Sequence, residues 1–478
     1  YKRGNNMTRT EILGRESSRL RKLGHKGCAY IGKVVSYPAG RYEEVGEMFM
    51  DIVFPHCILV LGKRGSGKSY TLGVIAEEFG FLQSKYRDRI SVIMVDTMSV
   101  FHSLKKENNI TEEIRKLATF ANLQARGFPD YSRIFMPKST IEKVREMGRD
   151  IAFDNILQLS IKDIEIYDWL SLFNLTPTEP AGVLIARAID KLRSEKSVFG
   201  FQDIFEEIKI QFGDEYLKEG VINLFRMVEN IGIFGEVGTP MEEIVRGGQL
   251  SILDMGYIGH VSGFDIRNLV VGIISRKLLL ERTLHTTVEM QAEASLTPSA
   301  GKNIMRKTLP MVYMMLDEAH LFIPRDRKTL SSTPLIDWIN LGRHSGLSLL
   351  MATQSPSSID PHVLGQSDLV IAHNISSADD IEALNRIQQT YMKGSRDLRT
   401  LVSSMDYLPG LAVIFDDRTR KVEMCRIRPR CSLHLGIDAS AIPLSERMGL
   451  RSTHEVGVST RKKRPASEII KDLQRISD

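Results

Sequence analysis

Three features of the sequence predict a layered α/β fold with a mainly parallel sheet and a largely helical insertion. Short apolar runs at 57–61, 90–95 and 311–316 lack polar alternation, as strands buried on both faces do. Stretches of helical spacing separate such runs, which is the text of a parallel sheet with crossover helices. Between 110 and 240 helical spacing dominates, as in Ile156, Leu159, Ile161 and Ile164, or Val183, Leu184, Ala188 and Leu192.

Each element follows from local pattern. Residues 1–26 are polar and basic and read as an arm, partly helical. Strand-like pieces at 30–35 and 48–54, punctuated by Pro38 and Gly40, suggest a shortened β-barrel-like segment over 27–54, or an edge hairpin feeding the main sheet. The core's first part, 55–109, holds a strand at 57–62, a helix over 69–79 and a strand at 90–96. The helical insertion spans 110–240 and admits one strand at 133–136. The core's second part, 241–432, starts with a strand at 249–254 and a helix over 265–282. Residues 283–308 are rich in Thr, Ser and Ala and read as an exposed loop. Strands follow at 310–316, 347–352 and 369–373, with helices at 334–343 and 378–386, and a closing hairpin at 411–415 and 422–427. Residues 433–478 read as a tail or an arm to a neighbour.

Composition narrows the classes further. The chain has 478 residues, 42% apolar and 26% charged, with only four cysteines. That excludes a disulfide scaffold and a wholly disordered chain, and it suggests a reducing, cytoplasmic setting. No apolar run approaches the ~20 residues of a spanning helix, so no membrane association is expected. The first 35 residues carry nine Lys and Arg against Glu11 and Glu16. Two further basic clusters are Arg418, Arg420, Lys421, Arg426, Arg428 and Arg430, and the tetrad Arg461, Lys462, Lys463 and Arg464. Each could meet a polyanion or simply solvate a face.

The chemistry-bearing motif is Gly62-Lys63-Arg64-Gly65-Ser66-Gly67-Lys68-Ser69, set between a buried strand and a helix. Its glycines let backbone amides wrap phosphates at a helix N-terminus. Lys68 would reach the β- and γ-phosphates of ATP, Ser69 would ligate Mg²⁺, and Tyr70 completes the nucleotide-binding run. A second motif closes the apolar run at 311–316 with Asp317-Glu318-Ala319-His320, a Walker B pattern. Asp317 would support Mg²⁺, and Glu318 would deprotonate an attacking water. Gln354 ends the next strand, either as a γ-phosphate sensor or as the start of a loop. Arg343 ends a helix before Gly346, either as a finger for a neighbouring subunit's γ-phosphate or as a cation on the helix dipole. Asp96 ends the second buried strand, beside the Mg²⁺ shell or as an ordinary strand-end carboxylate. Cys425, Cys431 and His434 look like half a metal site without a second pair, and so are read as structural.

Asp-Glu-Ala-His alone suggests a superfamily-two helicase, but 249 positions separate Lys68 from Asp317, too many for the compact first domain of such enzymes. The stretch 341–366, with the two motifs and the elements at 249–282, resembles the HerA branch of the HerA–FtsK ATPases over roughly 27–430. The chain departs from that family at Pro55-His56 and at Thr97-Met98-Ser99-Val100-Phe101. The resemblance implies a RecA-like P-loop ATPase core in a homo-oligomeric, hexameric ring with ATP sites between subunits. It implies ATP-driven movement on double-stranded DNA, with a nuclease or other effector partner in DNA end processing or antiviral defence. Lys68, Glu318, Gln354 and a trans-acting Arg343 would be catalytic, and Ser69 and Asp317 would hold Mg²⁺. Two alternatives stay open: a nucleotide-gated ring that activates a bound effector, and a genome-packaging or conjugation ATPase of the same superfamily.

Overall fold

The computed structural model describes residues 9–36, 42–121, 123–258, 264–294, 309–375, 377, 379–384 and 410–435. The tetrad 461–464 and nearly all of the expected tail lie outside them. Among the described residues the strands are β1 (Arg9–Leu13), β2 (Cys28–Ser36), β3 (Glu43–Asp51), β4 (Cys57–Leu61), β5 (Ile90–Asp96), β6 (Ser132–Pro137), β7 (Asn155–Leu157), β8 (Leu159–Ser160), β9 (Phe234–Gly235), β10 (Leu250–Asp254), β11 (Met311–Leu316), β12 (Leu347–Thr353), β13 (Leu369–Ala372), β14 (Leu411–Asp416) and β15 (Lys421–Ile427). β8 and β9 pair by themselves. The others form one 13-stranded sheet in the order β1-β3-β2-β15-β14-β13-β4-β12-β11-β5-β10-β6-β7.

From β13 to β7 every neighbouring pair is parallel. The apolar runs are continuous because both faces are covered, and the period of two sorts their side chains between the faces. Leu59, Leu61, Ile93, Val95, Met314 and Leu316 join the core with the insertion and the helices Ile266–Ala294 and Ser332–Ser345. Ile58, Val60, Val92, Met94, Tyr313 and Met315 join the opposite core with the helix Lys68–Phe81. This is the expected α/β fold with a mainly parallel sheet.

Several expectations change. The basic arm contributes β1, which pairs with β3, and the helix Ser17–Leu23. The segment 27–54 forms no separate barrel; β2 and β3 make a hairpin that carries the sheet onward from β15. The hairpin of β14 and β15 therefore does not close the sheet. The insertion supplies β6 and β7 to the main sheet as well as helices. Its helices pack around Trp169, whose ring lies 4.9 Å from Phe225 and 5.8 Å from Phe173. The helix expected to end at 282 runs on to Ala294, over the first part of the expected loop, the rest of which lies outside the described residues. Its continued i, i+4 spacing of Leu280, Leu284 and Val288 on an exposed face carries no break.

The cluster 418–430 is not a free basic face. Arg418 pairs with Asp368, Lys421 with Glu11 and Arg426 with Glu44. Arg428 and Arg430 are fully buried against the helix Lys68–Phe81, where Arg428 bonds Glu77 at 2.8 Å and Glu78 at 2.7 Å. No helix among the described residues is long and apolar enough to cross a membrane.

Removing one partner of a buried ion pair strands the other charge. Arg428→Met is expected to cost about 3–5 kcal/mol of unfolding free energy in a urea titration. A loss below ~1 kcal/mol would show that Glu77 and Glu78 find other partners or neutralise at little cost.

Candidate nucleotide site

The register brings the ends of the central strands to one edge. Thr353 lies opposite Leu61, Leu316 opposite Met351 and Val95, and Asp254 opposite Asp96. The loops that follow β4, β5, β11 and β12 therefore share a crevice at the carboxyl ends of parallel strands, where open α/β sheets take ligands. The crevice is a cavity of about 1120 Å³ lined by residues 63–71, Asp317, Glu318 and Gln354 among others.

The loop after β4 turns through Gly62, Gly65 and Gly67, all at positive φ. A Cβ on Gly62 would sit 2.3 Å from Ser66 Oγ, so only glycine fits there. Lys68 opens the following helix, and its Nζ donates to the Lys63 carbonyl at 3.1 Å. Burial pulls the Lys68 pKa down, and the charges of Glu318 and Asp317 oppose that pull. Ser69 Oγ donates to Asp317 Oδ2 at 3.0 Å, so β4 and β11 meet through the pair that would share a divalent cation. Burial, then the Glu318 charge, pushes Asp317 up to about 6.

Glu318 stands in the left-handed region at φ 52, unusual for a residue with a side chain. Its Oε2 is buried without a hydrogen bond, and burial raises its pKa. His320 Nδ1 lies 3.4 Å away, but burial and Lys68 lower the His320 pKa. A neutral His320 gives Glu318 no ion pair. An unsatisfied carboxylate oxygen and the unsatisfied Ser66 hydroxyl face a site built to receive polar groups. The glycine cradle, the lysine and the Ser69–Asp317 pair fit a Mg-nucleotide.

Gln354 is exposed and lines the same cavity. Asp96 does not line it: the carboxylate accepts from the backbone of Met98, Val100 and Phe101 at 2.8–3.2 Å and holds the turn that supplies Met98, Ser99 and Val100 to the cavity. The ordinary strand-end reading of Asp96 thus matches its contacts. Arg343 is exposed on the last turn of Ser332–Ser345, bonded to Glu16 at 3.2 Å, and Gly346 caps the helix at φ 70. That helix end precedes β12, whose length alone sets Arg343 about 20 Å from its own chain's phosphate loop.

Two groups of residues stand in places that the sequence reading did not assign them. His373, after β13, donates from Nδ1 to the Leu411 carbonyl at 3.1 Å and accepts from the Thr71 hydroxyl at 2.8 Å. Burial drives its pKa to about 4, so the neutral ring braces the loop's helix. Asn374 accepts from the Lys63 amide at 2.9 Å. Phe120, Arg426 and His434 also line the cavity. His434 bonds Arg430, and Cys425 and Cys431 are buried, contacts that fit the structural reading of this set. A lone His at a strand exit carries no periodic or motif signal that marks it.

A glycine-lined phosphate loop at a helix N-terminus, an acidic pair closing β11, and a mostly parallel sheet define a P-loop NTPase. Residues 43–278 match the family described as Helicase HerA, central domain. The chain carries a HerA central domain and is a distant homologue of HerA. A probable DNA double-strand break repair helicase HerA of Methanocaldococcus jannaschii is 24% identical over 188 residues, 36% of each chain. A probable helicase, MJ1565, of the same organism is 27% identical over 188 residues, 38% of this chain and 35% of its own. The matched segment thus spans about a third of those relatives. Among solved structures, VirB4 of Thermoanaerobacter pseudethanolicus has 11% identity and a TM-score of 0.46, covering 84% of this chain and 96% of its own. A bacterial conjugative coupling protein, TrwB, has 14% identity and a TM-score of 0.44, covering 87% and 93%.

The turn that Asp96 holds also carries His102, whose Nε2 lies 2.5 Å from Asp254 Oδ2. Burial alone would lower the His102 pKa, but Asp254 raises it above its ordinary value. A His pKa raised on folding stabilises fully below its unfolded value and stops doing so as pH climbs through the raised one. The stability difference between wild type and His102→Gln should therefore be largest near about pH 6 and shrink toward about pH 9 in urea titrations. A difference that grows with pH would invert the assignment.

Proposed function

We propose that the protein is an ATP-hydrolysing motor that acts on double-stranded DNA as a homo-oligomeric ring. The observation that carries this reading is the division of the catalytic set. Lys68, Ser69, Asp317, Glu318 and Gln354 share one cavity, while Arg343 is exposed about 20 Å away, behind the length of β12. An arginine so placed is out of reach of its own chain's phosphate loop, which suits a role in a neighbour's site. The name of one Methanocaldococcus jannaschii relative, a probable DNA double-strand break repair helicase, supports duplex DNA as the track.

In this mechanism the phosphate loop and Lys68 hold the triphosphate, and Ser69 and Asp317 would hold Mg²⁺, which offsets charge on the phosphates. Glu318, half-buried and with no hydrogen bond on its buried Oε2, accepts a proton from the attacking water. The water oxygen bonds the γ-phosphorus as the bond to the β–γ bridging oxygen breaks, giving ADP and phosphate. Gln354 orients that water. Arg343 of the adjacent subunit stabilises the charge on the transferring phosphoryl group, which couples hydrolysis to assembly. A hexameric ring, and a nuclease or other effector partner, complete the reading as a DNA end-processing or defence motor.

The test is steady-state ATP hydrolysis with and without duplex DNA, with mass measured in parallel. Duplex DNA should raise the rate, and its affinity should fall steeply with added salt. Glu318→Gln should lower kcat by about 10²–10⁴-fold. Arg343→Ala should lower it by about 10³–10⁵-fold without changing nucleotide binding. A rate indifferent to DNA in a protein tolerant of Arg343→Ala would overturn the motor.

A further inference from the structure

Besides the phosphate loop, the cavity is lined by Tyr70, Phe120, His434 and Leu435. Its chemistry there is not that of a phosphate site. His434 Nδ1 lies 3.0 Å from Arg430 Nη1. A guanidinium can only donate, so Nδ1 accepts and the ring proton is confined to Nε2. Among the described residues no hydrogen bond is found for that Nε2, and His434 lines the cavity. The ring is held at 82° to Tyr70 with centroids 5.2 Å apart.

Arg430 is itself locked. It is fully buried, and its Nε and Nη2 donate to Ser432 Oγ at 3.2 and 2.7 Å. Its guanidinium lies on the helix after the phosphate loop, where a Cβ on Gly73 would come 2.7 Å from Nη1. A glycine inside a helix costs about 1 kcal/mol against alanine; here it makes room for the group that sets the His434 tautomer. Burial and the Arg430 charge push His434 down to about 3, so the ring is neutral at working pH. A neutral imidazole with a fixed N–H suits a heterocyclic nitrogen better than a phosphate.

We infer that this part of the cavity is a purine subsite, in which His434 Nε2–H donates to a ring nitrogen of the base beside the Tyr70 ring. Purine nucleotides present unprotonated ring nitrogens on several edges, whereas a uridine nucleotide presents only N3–H and a cytidine nucleotide only one such nitrogen, N3. Tyr70 follows Ser69 directly and its hydroxyl accepts from the Arg430 amide at 2.7 Å, so one residue joins the phosphate and base ends. Arg430 is the positioning residue. The inference rests on the reading of the cavity as a nucleotide site.

The experiment is calorimetric titration, in Mg²⁺, with ATP, tripolyphosphate and 1-, 3- and 7-deaza-ATP. The proteins are wild type, His434→Phe and His434→Gln, each matched by thermal melting. One deaza analogue should bind wild type about 3- to 10-fold more weakly than ATP, the worth of one hydrogen bond. His434→Phe should lose the same factor for ATP, no longer distinguish that analogue, and keep wild-type affinity for tripolyphosphate. His434→Gln, which retains an N–H donor, should recover part of the loss. If all three analogues match ATP on wild type, or if His434→Phe keeps the discrimination, the subsite is wrong. Failure of wild type to bind tripolyphosphate would instead sink the nucleotide reading beneath it.

Discussion

Glu77 lies fully buried on the helix that follows the phosphate loop, a costly place for a carboxylate unless it is fully paired. It accepts four hydrogen bonds, from Arg428 at 2.8 Å, the amides of Cys431 and Ser432 at 3.0 and 2.9 Å, and the Ser432 hydroxyl at 2.6 Å, and Arg430 lies 3.5 Å from it. Glu78 on the same helix accepts from the Tyr30 amide and from Arg428. These contacts join three regions distant in sequence: the phosphate-loop helix, the exit of β15 and the hairpin of β2 and β3. They form only when the sheet has assembled in its observed order, because β15 must lie beside β2 to bring Arg428 under the helix. The anion-binding helix is thus anchored from below by charge and from above by the strand ends.

The same anchoring shapes the cavity. With Arg428 and Arg430 fixed, the segment 428–435 passes along the phosphate-loop helix and forms one wall. His373 and Asn374, beyond β13, brace the loop itself. Asp96 holds the turn after β5 against another. Three strand exits therefore confine a loop whose glycines leave it little rigidity of its own. Pre-organisation of this kind lets a phosphate site act without rearranging when its ligand arrives.

The distribution of catalytic groups has a mechanical meaning. Every residue proposed to hold the phosphates within one chain lies at the carboxyl ends of the strands, and Arg343 lies beyond the amino end of β12. Parallel strands impose that separation, since a helix leading into a strand ends at the opposite edge from the loop leaving it. In the proposed ring, a subunit therefore reads its neighbour's nucleotide through the far side of its own sheet. The exposed seam of Leu280, Thr283, Leu284, Thr287 and Val288 runs beside the end of that helix, where Thr283 meets Ser345 at 3.0 Å.

The amino-acid sequence by itself determined what depends on neighbours along the chain. Apolar runs marked β4, β5 and β11 because both of their faces are covered, and the spacing of Gly62, Gly65, Gly67, Lys68 and Ser69 marked the phosphate loop because that turn needs those residues consecutively. Local pattern also located β12, β13 and the pair Asp317 and Glu318. The tertiary structure alone decided what depends on residues hundreds of positions apart. Arg428 and Arg430 read as a surface charge cluster until the carboxylates of Glu77 and Glu78, some 350 positions earlier, were seen beneath them. The segment 27–54 read equally as a barrel or a hairpin, because an antiparallel pair looks alike in text whichever strand it joins. His373 carries no motif, and His434 stood out only as part of half a metal site; their roles come from which carbonyl, hydroxyl or guanidinium the fold sets against each ring nitrogen, and a linear sequence does not hold that distance.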